Sequence, residues 1–434
     1  MSYSKRLRER EERTGRPVRV GLAGAGQMGA GYVAQVQRIA GLEIGAIADV
    51  DPARAVAAYK AAGVEADTGG SGRHAVLTDA LALADADVDV VVDATGVPDV
   101  GAGLSLAALR AGKHVALLNV ECDVTIGYLL AALARTAGQI YTVCRGDEPV
   151  EARRLVEYAR DLAFEVVCAG KGKNNPLDPT ATPDSLAAEA RSKNMNPKML
   201  CSFVDGSKAM IEMAALANGT DLQVSKRGMH GPPATVPTLS DVFRPESDGG
   251  ILDRAGVVDY CTGPVAPGVF VIIRTDDPTV HEEMTYLKLG PGPYFTLYRP
   301  YHLASIEAPL SIGEAVLDHE ASIAPVAWNA EVGTVAKRDL QTGDALDGIG
   351  GSTVYGTIED ATVFIEQRLL PLGLVGGARV IRPVVKGELL TYDDVEWTEN
   401  TVIGQLRALQ DRQIAEGWTD EQTAAAVNEA LPAR

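Results

Sequence analysis

Three glycines near the N-terminus, Gly24, Gly26 and Gly29, have the spacing GxGxxG. The β-branched run Val18 to Ala23 predicts a strand that stops at Gly24, and the segment that follows, through Ile39, predicts a helix. In this setting the first glycine makes a tight turn, the second lets the backbone approach a pyrophosphate, and the third lets the helix pack on the strand. The helix N-terminus also attracts phosphate charge. The pattern therefore predicts a dinucleotide site, with a plain glycine-rich turn as the alternative.

Asp49 lies at the end of the next predicted strand, Glu43 to Val50. A carboxylate at this position accepts hydrogen bonds from a ribose 2′-hydroxyl and repels a 2′-phosphate, which favours NAD. Arg54 is near enough in sequence to reach a phosphate, so NADP stays open.

Thr95 and Gly96 follow the predicted strand Val88 to Asp93. We expect them beside the cofactor, because parallel strands end at their carboxyl edge, and an ordinary β-to-α turn is the alternative. The cofactor contacts predicted from the two turns and from the strand end at Asp49 are Gly24, Gly26, Gln27, Met28, Gly29, Asp49, Thr95 and Gly96.

Two lysines, Lys171 and Lys173, come just beyond the predicted strand Phe164 to Ala169. In an extended chain both ammonium groups point to one side, and Asn174 and Asn175 add amide donors. In a chain this acidic, such a cluster suits an anionic or polyhydroxylated substrate. The alternative is a solvated loop.

Asp205, Lys208 and Glu212 share one face of a helix predicted over Ser202 to Asn218. On one interpretation Lys208 polarises a carbonyl or exchanges its proton and is oriented by Asp205. On the other, Asp205 is an N-cap and the other two form a surface ion pair. The spacing alone does not decide between them.

An aromatic stretch also contains Arg299 and His302. Arg299 could hold an anion and His302 could exchange protons near neutral pH, although a histidine packed in the core is the alternative. The tyrosines and phenylalanine of this stretch are Tyr294, Phe295, Tyr298 and Tyr301. Four carboxylates are further candidates to hold a divalent cation: Glu121, Asp123, Glu148 and Asp178.

The elements that position these residues alternate between strand and helix up to about residue 150, which predicts an α/β protein with a parallel, doubly wound sheet. A second, mixed α/β region and a small, glycine- and valine-rich β module follow. The predicted segments are a charged leader (1–16), a dinucleotide-binding domain (17–150), a catalytic and oligomerisation domain (151–330), a β domain (331–398) and a helical tail (399–434).

Composition excludes several classes of function. The 434 residues carry 40 Lys+Arg against 58 Asp+Glu, a formal charge of −18, so neither nucleic acid nor an anionic membrane is an expected partner. The apolar runs are too short to span a membrane, and the basic N-terminus lacks the apolar core of a secretory signal. The five cysteines show no ligand spacing and predict buried free thiols and a cytoplasmic protein.

Several motifs together resemble the homoserine-dehydrogenase-like oxidoreductases that carry a C-terminal SAF domain. The similar segments span nearly the whole chain: Gly21 to Gly29, Asn119 to Gly127, Gly146 to Pro149, Lys171 to Asn175, Phe203 to Lys208, Tyr298 to His302, Ala336 to Gly343 and Arg379 to Gly387. One branch of this family is similar to a second type of 1-deoxy-D-xylulose 5-phosphate reductoisomerase, and other members are thought to oxidise or rearrange branched sugar acids.

The resemblance implies a Rossmann domain, a mixed α/β catalytic domain and a homo-oligomer formed through that domain. It adds Asn119 to the cofactor contacts. It makes the pocket candidates Lys171, Lys173, Asn174, Asn175, Asp205, Lys208, Arg299 and His302. Of these we predict catalytic roles for Lys171, Lys173, Asp205, Lys208 and His302, and we predict substrate contacts from Asn174, Asn175, Arg299 and also Glu148.

The sequence departs from the family at three points. Val50 follows Asp49 where members often have Arg, which weakens the case for NADP. Cys144 and Arg145 precede Gly146 where smaller residues are usual, which would reshape the pocket. No lysine follows Asn119, which disfavours amino-acid oxidation.

These observations predict an NAD(P)-dependent oxidoreductase or reductoisomerase that acts on a small polyol, sugar acid or sugar phosphate. Lys208 or Lys171 would stabilise charge on the carbonyl oxygen, and a divalent cation would assist a carbon-skeleton rearrangement. The alternatives are a homoserine-dehydrogenase-type oxidoreductase and a non-catalytic cofactor sensor whose SAF module recognises a partner.

Overall fold

The computed structural model describes residues 2–397 and 400–432. The helices, in chain order, are α1 (Tyr3–Thr14), α2 (Gln27–Val36), α3 (Pro52–Ala61), α4 (Pro98–Arg110), α5 (Val120–Ala137), α6 (Glu148–Asp161), α7 (Ala187–Ser192), α8 (Pro197–Val204), α9 (Ser207–Thr220), α10 (Leu239–Val242), α11 (Pro278–Tyr286), α12 (Ala304–Glu307), α13 (Pro309–Gly313), α14 (Ala361–Glu366), α15 (Val402–Glu416) and α16 (Asp420–Ala430). The strands are β1 (Val18–Ala23), β2 (Leu42–Ala48), β3 (Ala75–Leu77), β4 (Val90–Asp93), β5 (His114–Leu117), β6 (Tyr141–Val143), β7 (Glu165–Lys173), β8 (Gln223–Val224), β9 (Val257–Thr262), β10 (Val269–Arg274), β11 (Tyr294–Arg299), β12 (Ala330–Ala336), β13 (Val354–Asp360), β14 (Arg379–Val380) and β15 (Val395–Glu396).

The first sheet has six parallel strands in the order β3-β2-β1-β4-β5-β6. Every residue of β1, β2 and β4 is buried, as expected for central strands that helices cover on both faces. The strand order reverses between β1 and β4, and ligands of doubly wound sheets bind outside the carboxyl ends of the strands at such a point. The predicted α/β fold class is confirmed.

The second sheet is mixed and has the order β11-β10-β7-β9-β8. Strand β7 pairs in parallel with β9 and antiparallel with β10, so it lies inside the sheet. Helices α6 and α9 pack against these strands and against each other. In α9 every residue except Lys208 is buried, because the helix also packs on the β12–β13 hairpin.

The described residues divide into two compact units that are not successive segments. Those of the first lie within Met1–Asp147, Leu303–Ala324 and Glu399–Arg434, and those of the second within Glu148–His302 and Pro325–Thr398. In the first unit, α12 packs on α2, while α15 and α16 pack on α5. The five-segment division stays a prediction; residue 1, the boundary between 398 and 399, and residues 433–434 lie outside the described residues.

The sequence predicts an N-cap at Asp51 before Pro52 and a capping box formed by Thr419 and Gln422, and both are confirmed. Asp51 accepts a hydrogen bond from the backbone N–H of Ala53 and precedes the proline at the start of α3, and Thr419 with Gln422 forms a capping box at α16. The five cysteines are free and buried, as predicted. Among the residues described, no helix has both the length and the apolarity that a bilayer crossing requires.

Two predicted elements around the lysines are wrong. Lys171 and Lys173 do not lie beyond the strand but inside it, since β7 continues to Lys173. The helix predicted over Ser202 to Asn218 is two helices, because Asp205 caps the end of α8 and Gly206, with φ +94°, starts α9.

The sequence also predicts strands over Thr285 to Leu289 and Ala378 to Val385. The first prediction is wrong: Thr285 and Tyr286 end α11, which Asp277 and Pro278 start, and residues 287–289 lie in the loop after it. Of the segment Ala378 to Val385, only Arg379–Val380 is a strand.

Candidate active site

The glycine turn has the geometry that the spacing predicts. Gly24 has φ +89°, a left-handed conformation that favours glycine. A Cβ on Gly29 would lie 2.0 Å from the carbonyl oxygen of Gly24, so only glycine lets α2 start this close to β1. A Cβ on Gly26, the N-cap of α2, would meet open space. The turn therefore leaves the helix N-terminus accessible to a pyrophosphate, and the residues fit a dinucleotide.

Asp49 is tied to this turn through both carboxylate oxygens. One accepts a hydrogen bond from the backbone N–H of Ala25 at 2.7 Å, and the other from that of Asp51 at 2.9 Å. Each oxygen keeps a second lone pair that a ribose hydroxyl could use. Asp49 lines the same cleft as Gly24, Gly26 and Arg54, and the Arg54 side chain is 61% exposed.

A buried hydrogen-bond chain supports the opposite wall of the cleft. Asp93 accepts from the backbone N–H and the hydroxyl of Thr95 at 2.8 and 2.7 Å, and from the side-chain amide of Asn119 at 2.8 Å. That amide also donates to the carbonyl of Val97 at 3.0 Å. Burial raises the pKa of Asp93 above its usual value, although these hydrogen bonds oppose the shift.

The remaining predicted cofactor residues occupy different depths around this cleft. Thr95 lines it, and Gly96 follows in a turn with φ +65°. Asn119 is fully buried and caps the N-terminus of α5, so it lies behind the cleft wall. Gln27 and Met28 are exposed in the first turn of α2.

A charged cluster lies in the second unit. The ammonium of Lys171 in β7 contacts Glu148 at 2.6 Å in the first turn of α6 and also contacts Glu212 in α9. All three side chains are at least nine-tenths buried. Burial would lower the pKa of Lys171, but the two carboxylates outweigh it and raise the pKa, whereas burial raises the pKa of Glu212. The ammonium is thus held in its charged form.

His302 extends this cluster toward solvent. Its Nε2 lies 3.3 Å from the same Glu148 oxygen that Lys171 contacts, and its side chain is 19% exposed. Nearby in the chain, Arg299 pairs with the buried Glu151 and its guanidinium lies 4.6 Å from the centre of the Tyr301 ring.

Lys173 has different surroundings from Lys171. Its ammonium donates to the backbone carbonyls of Asn175 and Phe203 at 2.7 and 2.8 Å. Burial, followed by the charge of Lys171, lowers the pKa of Lys173 to about 8. A pKa lowered to this range suits a group that exchanges protons in acid-base catalysis. Asn174 is exposed and Asn175 is half-buried in the loop that follows.

The predicted pairing of Asp205 with Lys208 rests on a helix that does not exist. Asp205 is buried, accepts from the backbone N–H of Ser207 at 2.9 Å and pairs with Lys337 at 2.8 Å. Lys337 also donates to the carbonyls of Ala181 and Gly351. The Asp205 carboxylate therefore joins α9 to the β module.

The candidate cation ligands are used in other ways. Asp123 accepts from the hydroxyl of Tyr141 at 2.8 Å, and Asp178 accepts from the backbone and hydroxyl of Thr180. Glu121 is buried in α5. Of the four carboxylates, Glu148 is the one that belongs to the charged cluster.

Sequence reasoning missed three acidic residues of these sites. The sequence pattern predicts α6 only from Ala152, which leaves Glu148 and Glu151 outside the helix. In the structure both lie in its first turn, three residues apart and therefore on one face. The sequence predicts Glu212 only as a possible surface partner of Lys208, and Asp93 only as the last residue of a strand. No neighbouring residues in the sequence indicate that these carboxylates are buried.

Family comparisons match three consecutive parts of the chain. Residues 24–143 match the homoserine dehydrogenase NAD-binding domain, 146–308 the catalytic domain of oxidoreductase DRL, and 331–396 the SAF domain. A search of the curated proteins found no match.

The chain is also similar to solved structures. A probable dehydrogenase from Thermotoga maritima is 13% identical with a TM-score of 0.39, and the match covers 96% of this chain and 95% of that one. The WlbA dehydrogenase from Bordetella pertussis, solved with NADH and UDP-GlcNAcA, is 16% identical with a TM-score of 0.34, over 67% of this chain and 68% of that one. At these identities and scores the likeness says nothing about substrate.

The glycine turn, the doubly wound sheet and the domain matches define an NAD(P)-dependent oxidoreductase. The chain has the architecture of the homoserine-dehydrogenase-like oxidoreductases with a DRL-type catalytic domain and a C-terminal SAF domain. The resemblance found in the sequence is confirmed.

Proposed function

We propose that this oxidoreductase transfers hydride between a nicotinamide and a small polyhydroxylated sugar acid, polyol or sugar phosphate. The observation that carries the proposal is the sharing of one Glu148 oxygen between the Lys171 ammonium and the His302 imidazole. This arrangement joins a partly exposed proton-exchanging group to a buried, permanently charged one. It suits a reaction in which a hydroxyl loses a proton and its carbon loses hydride.

The cofactor would be held by groups of the first unit. The N-terminus of α2 would face the pyrophosphate across Gly26, and the carboxylate of Asp49 would accept hydrogen bonds from the ribose. The nicotinamide supplies the hydride acceptor or donor. We propose NAD as the preferred form, because Val50 follows Asp49 and the carboxylate would repel a 2′-phosphate; the exposed Arg54 supports NADP as the alternative.

In the oxidation direction, the imidazole of His302 would accept the proton of the substrate hydroxyl. Glu148 Oε1, 3.3 Å from Nε2, would stabilise the imidazolium that forms. The ammonium of Lys171, 2.6 Å from the same oxygen, would hold the Glu148 carboxylate in position beside the imidazole. In the reverse direction, the same imidazolium would return the proton to the alkoxide.

Substrate charge would be recognised by basic groups close to this cluster. Arg299 presents a guanidinium beside Tyr301 and suits a carboxylate or phosphate, and Lys173 with Asn174 and Asn175 suits hydroxyl groups. Asp205 would be a positioning residue, because it accepts from the backbone N–H of Ser207 and so fixes the start of α9. This helix carries Lys208, the remaining catalytic prediction, and Glu212.

The test is a panel of sugar acids, polyols and sugar phosphates assayed with NAD and NADP, with product analysis to detect rearrangement. We expect turnover on at least one member, lost in His302→Asn and kept in His281→Asn, which changes a half-buried histidine on α11 whose ring contacts the Pro291 carbonyl. Tight cofactor binding without turnover on any member would favour the sensor. A cytoplasmic homo-oligomer without a nucleic-acid or membrane partner remains part of the proposal, to be tested by fractionation and light scattering.

A further inference from the structure

The Lys171 ammonium occupies the position between two acidic side chains that a divalent cation would need. Glu148 and Glu212 each have a carboxylate oxygen in contact with the ammonium, and these two residues have oxygens within 4.8 Å of each other. Carboxylate pairs at this separation are suitable ligands for Mg²⁺ or Mn²⁺. A divalent cation is also the expected helper if a carbon-skeleton rearrangement accompanies the reduction.

A divalent cation does not fit beside this ammonium. An ion bound at about 2.0–2.2 Å from both carboxylates would lie a few ångströms from Nζ, where two positive charges repel strongly in a buried site. The backbone of β7 is held by β9 on one side and β10 on the other, and the Lys171 side chain is only 9% exposed, so the ammonium lies in a buried position beside both carboxylates.

We propose that the ammonium of Lys171 replaces a divalent cation between Glu148 and Glu212, so this cluster binds no metal ion while the lysine is present. The positive charge that a metal would bring to the site is thereby covalently built into β7. The inference concerns the residues of the proposed function and deepens it. Because metal binding is measured without turnover, either can fail while the other stands.

The experiment measures Mn²⁺ binding to the full-length protein by electron paramagnetic resonance. Surface carboxylates of this acidic chain will bind some Mn²⁺, so the comparison is between matched variants. We expect wild type and Glu212→Gln to bind equally. We expect Lys171→Met to bind one additional Mn²⁺ per chain, and the double variant Lys171→Met/Glu212→Gln to lose it again.

Two results would overturn the inference: Mn²⁺ bound by wild type and lost in Glu212→Gln, or no added Mn²⁺ in a folded Lys171→Met. Circular dichroism and thermal unfolding establish that each variant is folded. If Lys171→Met does not fold, the anomalous scattering of wild-type crystals soaked in Mn²⁺ decides instead. No peak between Glu148 and Glu212 supports the inference, and a peak there contradicts it.

Discussion

The carboxylate of Asp93 accepts a hydrogen bond from the side-chain amide of Asn119 at 2.8 Å, in the interior of the first unit. The other oxygen of the Asp93 carboxylate accepts a hydrogen bond from the hydroxyl of Thr95, which lines the cofactor cleft. Neither Asp93 nor Asn119 lines that cleft, yet together they fix the turn that does. Burial raises the pKa of Asp93, so removing its partners would cost more than removing a surface hydrogen bond.

Replacing Asp93 tests this support. We expect Asp93→Ala to weaken binding of the nicotinamide cofactor about tenfold or more, because buried donors left without an acceptor cost about 1–3 kcal/mol. Thr95→Ser keeps the hydroxyl and serves as the matched control with unchanged affinity. Isothermal titration measures both. Equal affinity in a folded Asp93→Ala would remove Asp93 from the cofactor site.

We propose that Asp49 sets the preference for NAD over NADP. Asp49→Ala removes both the ribose acceptor and the bond to the Ala25 N–H, so it should relax the preference for NAD and weaken binding of both cofactors. Asp49→Asn retains an acceptor for the loop without the charge, so it should shift the NAD to NADP ratio with less loss of affinity. The ratio of kcat/KM values measures this. An unchanged ratio in both variants would exclude the assigned role.

His302 gives the most direct prediction for catalysis. His302→Asn should lower kcat by about 10²–10⁴-fold, the usual contribution of a general acid or base, with a smaller change in KM. Glu148→Gln should lower kcat less, because it removes the stabilisation of the imidazolium but leaves the imidazole. Steady-state kinetics across pH provides the comparison. A kcat that is unaffected in His302→Asn would assign proton exchange to another group, with Lys173 the first to examine.

The buried carboxyl of Asp123 should make the stability of the fold depend on pH, independently of catalysis. Burial raises its pKa to about 7, so the folded protein binds a proton there more tightly than the unfolded chain, whose carboxyl has a pKa near 3.8. This group therefore stabilises the fold below about pH 4, and that stabilisation is lost as pH rises through 7. Relative to Asp123→Asn, wild type should lose unfolding free energy between pH 4 and 7. Denaturant titrations at each pH measure the unfolding free energy. If it changes equally with pH in wild type and Asp123→Asn, the prediction is wrong.

The glycine turn could be predicted from sequence because its chemistry is local. Gly24 and Gly29 are close in the chain, and each needs to be glycine for a reason that a neighbouring strand or carbonyl supplies. The parallel, doubly wound sheet could be predicted from the alternation of strand and helix. Secondary structure failed where one glycine decided the outcome: Gly206 separates two helices that a continuous apolar pattern had joined.

The charged cluster could be predicted only in part. Lys171 and His302 were found by residue type, but their common partner Glu148 was considered as a metal ligand or a substrate contact, and Glu212 as a surface residue. These residues come from α6, β7, α9 and the segment after β11, and only packing of the second unit brings them together. A run of Gly and Lys at the end of β7 resembles a loop in composition, which hid the burial of both lysines.

The decisive measurement follows deuteride from NADH or NADPH, with both hydrogens at nicotinamide C4 replaced by deuterium, into keto sugar acids, sugars and sugar phosphates. We expect a product that carries one deuterium at the former carbonyl carbon, formed by wild type and His281→Asn and formed much more slowly by His302→Asn. A product without deuterium, or equal transfer by His302→Asn, would contradict this expectation.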